Sequence, residues 1–94
     1  MKESIINMFL VYSYLDGTKM INTNKITEVT FYWNRDVCKY RLTINVENLP
    51  EPILLIEDKD KQVVNYAYCR INAGITGQRP VIDITDITDK WLGK

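Results

Sequence analysis

The sequence contains no histidine. A Ser-His-Asp or Cys-His catalytic site therefore cannot be assembled within this chain. Zinc sites built on His, or on mixed His and Cys ligands, are excluded too. Cysteine is scarce: Cys38 and Cys69 stand in no C-x-x-C or other ligand spacing. A secreted disulfide scaffold needs more. Two reduced thiols are expected, at least one packed as a small hydrophobe, which points to a reducing, cytoplasmic setting. Serine occurs only at Ser4 and Ser13, one terminal and one inside an apolar run. Walker and dinucleotide glycine patterns are missing, so no cofactor is expected.

Net charge is missing as well, with 12 basic and 12 acidic residues. A general nucleic-acid binder draws its affinity largely from neutralising phosphates, and this balance argues against one. A polybasic membrane-surface protein is disfavoured for the same reason. No stretch approaches the ~20 apolar residues of a spanning helix, and no membrane association is expected. The run from Ile5 to Leu15 is broken by Asn7 and Ser13 and lacks an A-x-A-like cleavage site. It reads as a strand, not a signal peptide.

What is present is ordinary for a folded domain. The chain has 94 residues, 46% of them apolar and 26% charged. That predicts a single compact domain over residues 1–94, large enough for one core. Ile, Asn, Lys and Tyr supply 34 residues and Ala only two. Their A/T-rich codons suggest an AT-rich bacterium or its phage.

The pattern predicts an α+β fold: an antiparallel sheet of about five strands and one helix. Met8–Leu15 is rich in residues that suit a pleated surface. Asp16-Gly17 supplies a two-residue turn with positive φ, and Thr18–Asn22 returns. That turn pairs Leu15 with Thr18 and Val11 with Asn22, and leaves both faces mixed. Residues 26–33 and 38–46 alternate more cleanly. A four-residue loop, Asn34–Val37, pairs Trp33 with Cys38, Phe31 with Tyr40 and Val29 with Leu42. All six side chains then share the inward face, as period-two alternation requires. Glu28, Thr30, Tyr32, Lys39, Arg41 and Thr43 share the other, where Arg41 can reach Glu28 diagonally.

Pro50 and Pro52 stop that strand. Ile53–Ile56 is a short apolar strand. Residues 59–73 are the harder segment. Val63–Cys69 has strand propensity, but Val64, Ala67, Tyr68 and Ile71 fall on a helical stripe, which favours a helix. Asp58 is its expected cap and Gly74 its stop. Residues 77–80 read as a turn, Val81–Thr85 as a strand, and Asp86 as the cap of a short terminal turn carrying Ile87 and Trp91.

Leu15-Asp16-Gly17, Ile21-Asn22, Ile26 and Val29, followed by paired strands and a helix, resemble small bacterial accessory proteins of flagellar operons. The resemblance covers residues 8–72. It implies a β-meander closed by one helix, and no functional residue is carried across.

Three patterns could support chemistry. Carboxylates recur at Asp83, Asp86 and Asp89 and cluster at Glu57, Asp58 and Asp60. Paired carboxylates do acid–base work or bind hard cations, but no calcium-loop pattern is present. The plain reading is caps and solvated charge, and no metal is expected. Gly74-Ile75-Thr76-Gly77 with Arg79 matches the glycine loop of KH domains, though two glycines three apart are also common turn punctuation. Tyr32, Lys39 and Arg41 place an aromatic beside cations on the face away from the core. Tyr and Arg favour interface centres, so these three are the candidate partner-binding residues.

The expectation is a non-catalytic protein-interaction module, an accessory or inhibitor protein whose partner is another protein or a second copy of itself. A single-stranded nucleic-acid binder using the same face is the alternative. An enzyme working by carboxylates alone ranks last.

Overall fold

The computed structural model describes residues 7–93. Ser4 and the start of the Ile5–Leu15 run lie outside the described residues. The elements are β1 (Phe9–Tyr14), β2 (Gly17–Asn22), a 3-10 turn (Thr23–Lys25), β3 (Ile26–Asn34), β4 (Lys39–Val46), β5 (Ile53–Asp58), α1 (Lys61–Thr76), β6 (Val81–Asp83) and α2 (Thr85–Leu92). No described helix is long and apolar enough to cross a membrane.

The fold is α+β, but the expected single sheet is replaced by two three-stranded sheets, ordered β2-β1-β6 and β3-β4-β5. A second helix stands where a terminal turn was expected. The break falls at the 3-10 turn between β2 and β3, and β6 adds to the first sheet by pairing parallel to β1. The meander implied by the flagellar resemblance survives as β3-β4-β5 alone, both of whose pairings are antiparallel.

Both hairpins turn one residue away from the expected place. In the first, Leu15 and Asp16 form the turn and Tyr14 pairs with Gly17. Leu15 carries the positive φ, at 27°, while Gly17 begins β2 outside the left-handed region. The resulting two-residue slip sets Leu10 opposite Ile21, and Leu10 and Tyr12 become the buried row. In the second, the loop is Arg35–Cys38 and Asn34 joins the ladder opposite Lys39. The Asn34 side chain accepts from the amides of Asp36 at 2.9 Å and Val37 at 3.3 Å. Cys38 closes the loop at φ 55°. Its thiol therefore leaves the inward row and is exposed, as is Cys69. Faces survive a slip of two, so Val29, Phe31 and Trp33 still share one with Ile44, Leu42 and Tyr40.

One core joins both sheets and both helices. Leu10, Leu42, Ile44, Leu55, Ile56, Val64, Ala67, Ile71 and Ile84 are fully buried in it. Leu55 and Ile56 both point inward because a register shift opposite Leu42 and Thr43 skips Leu55, as a β-bulge does. Trp33, expected inside, is 49% exposed at the end of its row. The Tyr12 ring is buried too, and its hydroxyl has no hydrogen-bond partner among the described residues. Burial, reinforced by Tyr14, pushes the Tyr12 phenol pKa above its ordinary value.

Asp60, not Asp58, caps α1, accepting from the Gln62 amide at 2.9 Å. Asp58 supports the cap by accepting from the Asp60 amide at 2.7 Å. The stripe Val64, Ala67, Ile71 is buried as expected, but Gly74 extends it instead of ending the helix. A Cβ on Gly74 would lie 2.5 Å from Cγ1 of Ile82 and 2.7 Å from its Cδ1. Glycine is needed there because α1 and β6 approach so closely. The helix ends beyond it in a Schellman motif: Arg79 N–H donates to the Gly74 carbonyl at 2.9 Å and Gln78 N–H to that of Ile75 at 3.1 Å. Gln78 takes the left-handed position, at φ 53°. Gly74–Gly77 is thus the last turn of a helix, its first glycine beneath Ile82, and not the open loop a KH clamp requires.

Two outcomes are expected in urea unfolding. Gly74→Ala should destabilise, although Ala is favoured over Gly within helices by roughly 1 kcal/mol. Ile82→Ala alone should cost about 2–5 kcal/mol, and clearly less once Gly74→Ala is in place. Strictly additive costs would show that the two do not collide. Tyr12→Phe should leave the domain as stable or up to about 1 kcal/mol more so, since it removes an unsatisfied buried hydroxyl. A large loss would mean that the hydroxyl has a partner.

Candidate interaction surface

α1 packs on the Phe31 side of β3-β4-β5, where the Tyr68 ring lies 5.5 Å from that of Phe31. Tyr32, Arg41 and Glu57 occupy the other side as one row across the three strands. Tyr32 pairs with Arg41, and Arg41 with Glu57. The alternation of β3 and β4 places the first two there, and the bulge at Leu55 brings Glu57 to the same side.

The row is knitted by charge. Arg41 Nε donates to Glu57 Oε2 at 2.7 Å, and Lys39 Nζ stands 3.9 Å from Glu57 Oε1. Hydrogen bonds to Glu57 and Tyr32 hold the Arg41 guanidinium pKa above its ordinary value. Glu57 therefore replaces Glu28 as the partner of Arg41. Glu28 instead accepts from the Asn45 side chain at 2.9 Å. Tyr32 remains 36% exposed, and Thr43 at the middle of the face is buried.

The structure thus brings the three sequence-predicted residues together: Tyr32 and Arg41 in contact, with Lys39 joined to them through Glu57. Its charges are balanced, with Lys39 and Arg41 against Glu28 and Glu57. The Phe31 side ends in a second aromatic group. Trp33 packs edge-on against Tyr40 at 4.8 Å, and Lys61 Nζ lies 5.9 Å from the Tyr40 ring.

The carboxylates have structural work. Asp83 accepts from the amide and hydroxyl of Thr85 at 2.8 and 2.6 Å, which starts α2. Asp86, the expected cap, lies inside the first turn and pairs with Arg70 Nη1 at 2.9 Å. Arg70 Nη2 also donates to the Asp83 carbonyl. Asp89 accepts from the Ser13 hydroxyl. No group of three His, Cys, Asp or Glu suited to a metal ion occurs among the described residues.

Sequence reasoning missed one feature. A groove of about 470 Å³ runs between α1 and α2, with Val63, Tyr66, Ile87 and Trp91 as its apolar lining and Asp58, Asp86 and Lys90 at its rim. The spacing of Ile87 and Trp91 marked one wall. The second wall could not be read without knowing that the helices are neighbours.

Comparison with protein-family models, curated proteins and solved structures gave no match.

Asp83 makes the acid limb of stability testable. Hydrogen bonds from Thr85, aided by Arg70, hold its carboxyl pKa below the usual value. A lowered folded pKa stabilises above the unfolded pKa of about 3.9, and that contribution is lost as pH falls through the folded value. Asn at this position can still accept from Thr85 but carries no charge. Asp83→Asn should therefore cost at most about 1 kcal/mol near neutrality, given the exposure of the site. The difference in melting temperature should vanish below the folded pKa. A difference that stays constant down to acid pH would remove the charge from the explanation.

Proposed function

We propose that this protein is a non-catalytic interaction module, an accessory or inhibitor protein, that binds a protein partner through the uncovered face of β3-β4-β5. The observation that carries the reading is the Tyr32–Arg41–Glu57 row, set on the side of the sheet that α1 does not cover. Glu57 engages Nε of Arg41 and Tyr32 a second donor, so the guanidinium is held in place with donors left over for a partner. A pre-ordered Arg beside a half-exposed Tyr loses little side-chain entropy on binding. Tyr32 is the central contact, and Lys39 and Arg41 supply the charged flanks. The balance of two cations and two anions favours a protein over a single-stranded nucleic acid, whose backbone needs excess positive charge.

Tyr32→Ala with Lys39→Ala spares the Arg41–Glu57 bond and should melt within a few degrees of the parent. Immobilised parent should capture a protein from its native cell lysate, identified by mass spectrometry. The double variant should lose it. Fluorescence anisotropy should show no oligonucleotide binding between about 50 and 200 mM salt. Undiminished capture by the variant, or a salt-steep oligonucleotide affinity, would overturn the reading.

A further inference from the structure

We propose that β3 pairs edge to edge with β3 of a second copy of this chain, antiparallel, about a two-fold axis at Phe31. The inference concerns the edge of the sheet, not the face discussed above, and stands apart from that reading.

An edge strand presents unpaired N–H and C=O groups, and folded proteins blunt such edges. Three of the four edge strands here are blunted. β2 carries Lys19. β5 follows Pro50 and Pro52, is bulged at Leu55 and is packed by α2. β6 is only three residues long, and Arg70 covers its Asp83 carbonyl. β3 is bulged only at its start, at Thr27, and α1 packs on one of its faces, but the edge beyond the bulge carries none of these devices. The strand is nine residues long, contains no Lys, Arg or Pro, and has one charge, Glu28. Its ladder is with β4 alone, and no other backbone hydrogen bond to its interior occurs among the described residues.

The strand is also self-complementary. Its register shift lies between Ile26 and Glu28, so the regular stretch is Glu28–Asn34, centred on Phe31. Antiparallel pairing about that centre keeps the inner rows on one side. Val29 then faces Trp33 of the second copy, and Phe31 faces Phe31. On the outer side, Thr30 faces Tyr32, and Glu28 faces Asn34 with Arg35 adjacent. No like charges meet. The 49% exposed Trp33 gains an apolar neighbour, and two three-stranded sheets become one of six.

Sedimentation velocity between about 1 and 200 μM should show the 11.0 kDa chain moving towards twice that mass. Thr30→Lys should weaken association by about tenfold or more, because the two lysines meet diagonally across the axis. Its circular dichroism should match the parent. Should that variant misfold, hydrogen exchange on the parent decides. Amides of Glu28–Asn34 should gain protection as concentration rises, and those of β2 should not. A monomer throughout, undiminished association of a folded Thr30→Lys variant, or protection growing elsewhere would overturn the proposal.

Discussion

The backbone of β1 has to be satisfied on both sides, and the segment that serves one side lies far along the chain. β2 takes the near edge. The other is met in succession by the residues from Pro80 to Thr88. Phe9 N–H donates to the Pro80 carbonyl at 2.9 Å, β6 pairs with Phe9–Val11, and Ile84 N–H donates to the Val11 carbonyl at 3.0 Å. Where β6 ends, a side chain continues the ladder: Ser13 N–H donates to the Thr88 hydroxyl at 2.8 Å across 75 residues of sequence. An unmet buried amide costs about 1–3 kcal/mol, so this edge fixes where α2 must lie. The carboxylates then fasten what the ladder has placed, through Asp83 to Thr85, Asp86 to Arg70 and Asp89 to Ser13.

That arrangement completes the first sheet. After the 3-10 turn, β3 does not join the outer edge of β2 but builds a second sheet with β4 and β5. α1 bridges the two, and at Gly74 it approaches β6 too closely for a Cβ. Because α1 covers one side of β3-β4-β5, the other side keeps its polar row. Because β3 is the outer strand, its edge stays available. Both surfaces proposed for binding are therefore what α1 and β4 leave uncovered on the second sheet.

In the second hairpin the faces were legible in the sequence, Cys38 apart, and the register was not. Period-two alternation places Tyr32, Arg41 and Leu42 on the correct sides, and a slip of two residues leaves them there. In the first hairpin the slip arose because glycine was taken as the marker of positive φ; in the second, alternation fits two registers two residues apart. Here Leu15, Cys38, Asn48 and Gln78 adopt positive φ, and of the glycines only Gly93 does among the described residues. Gly74 serves a close contact and Gly17 begins a strand. The α1 stripe was legible because packing demanded four apolar positions at helical spacing. β6 was legible as a strand, read as Val81–Thr85 where the structure has Val81–Asp83, but its parallel pairing with β1 was not, since that partner is distant in the chain. At the site, Glu57 was not recognised as the partner of Arg41, because a bulge on a third strand decides which way it points.

The same constraints bear on chemistry. With no histidine, the carboxylates are the commonest acid–base groups left, and Glu57, Asp60, Asp83 and Asp86 are engaged as caps or ion-pair partners. Asp83 is a clear case: its hydrogen bonds favour the charged form and lower its pKa, opposite to the raised value a carboxylic acid needs to donate a proton near neutrality. Arg41 shows how the same commitment suits recognition. Its bonds to Glu57 and Tyr32 use two donors and fix the direction of the others, and fixed donors beside a partly exposed ring suit recognition of a complementary surface. Charge that is spent on holding the fold in place is poorly suited to proton transfer and well suited to positioning a contact.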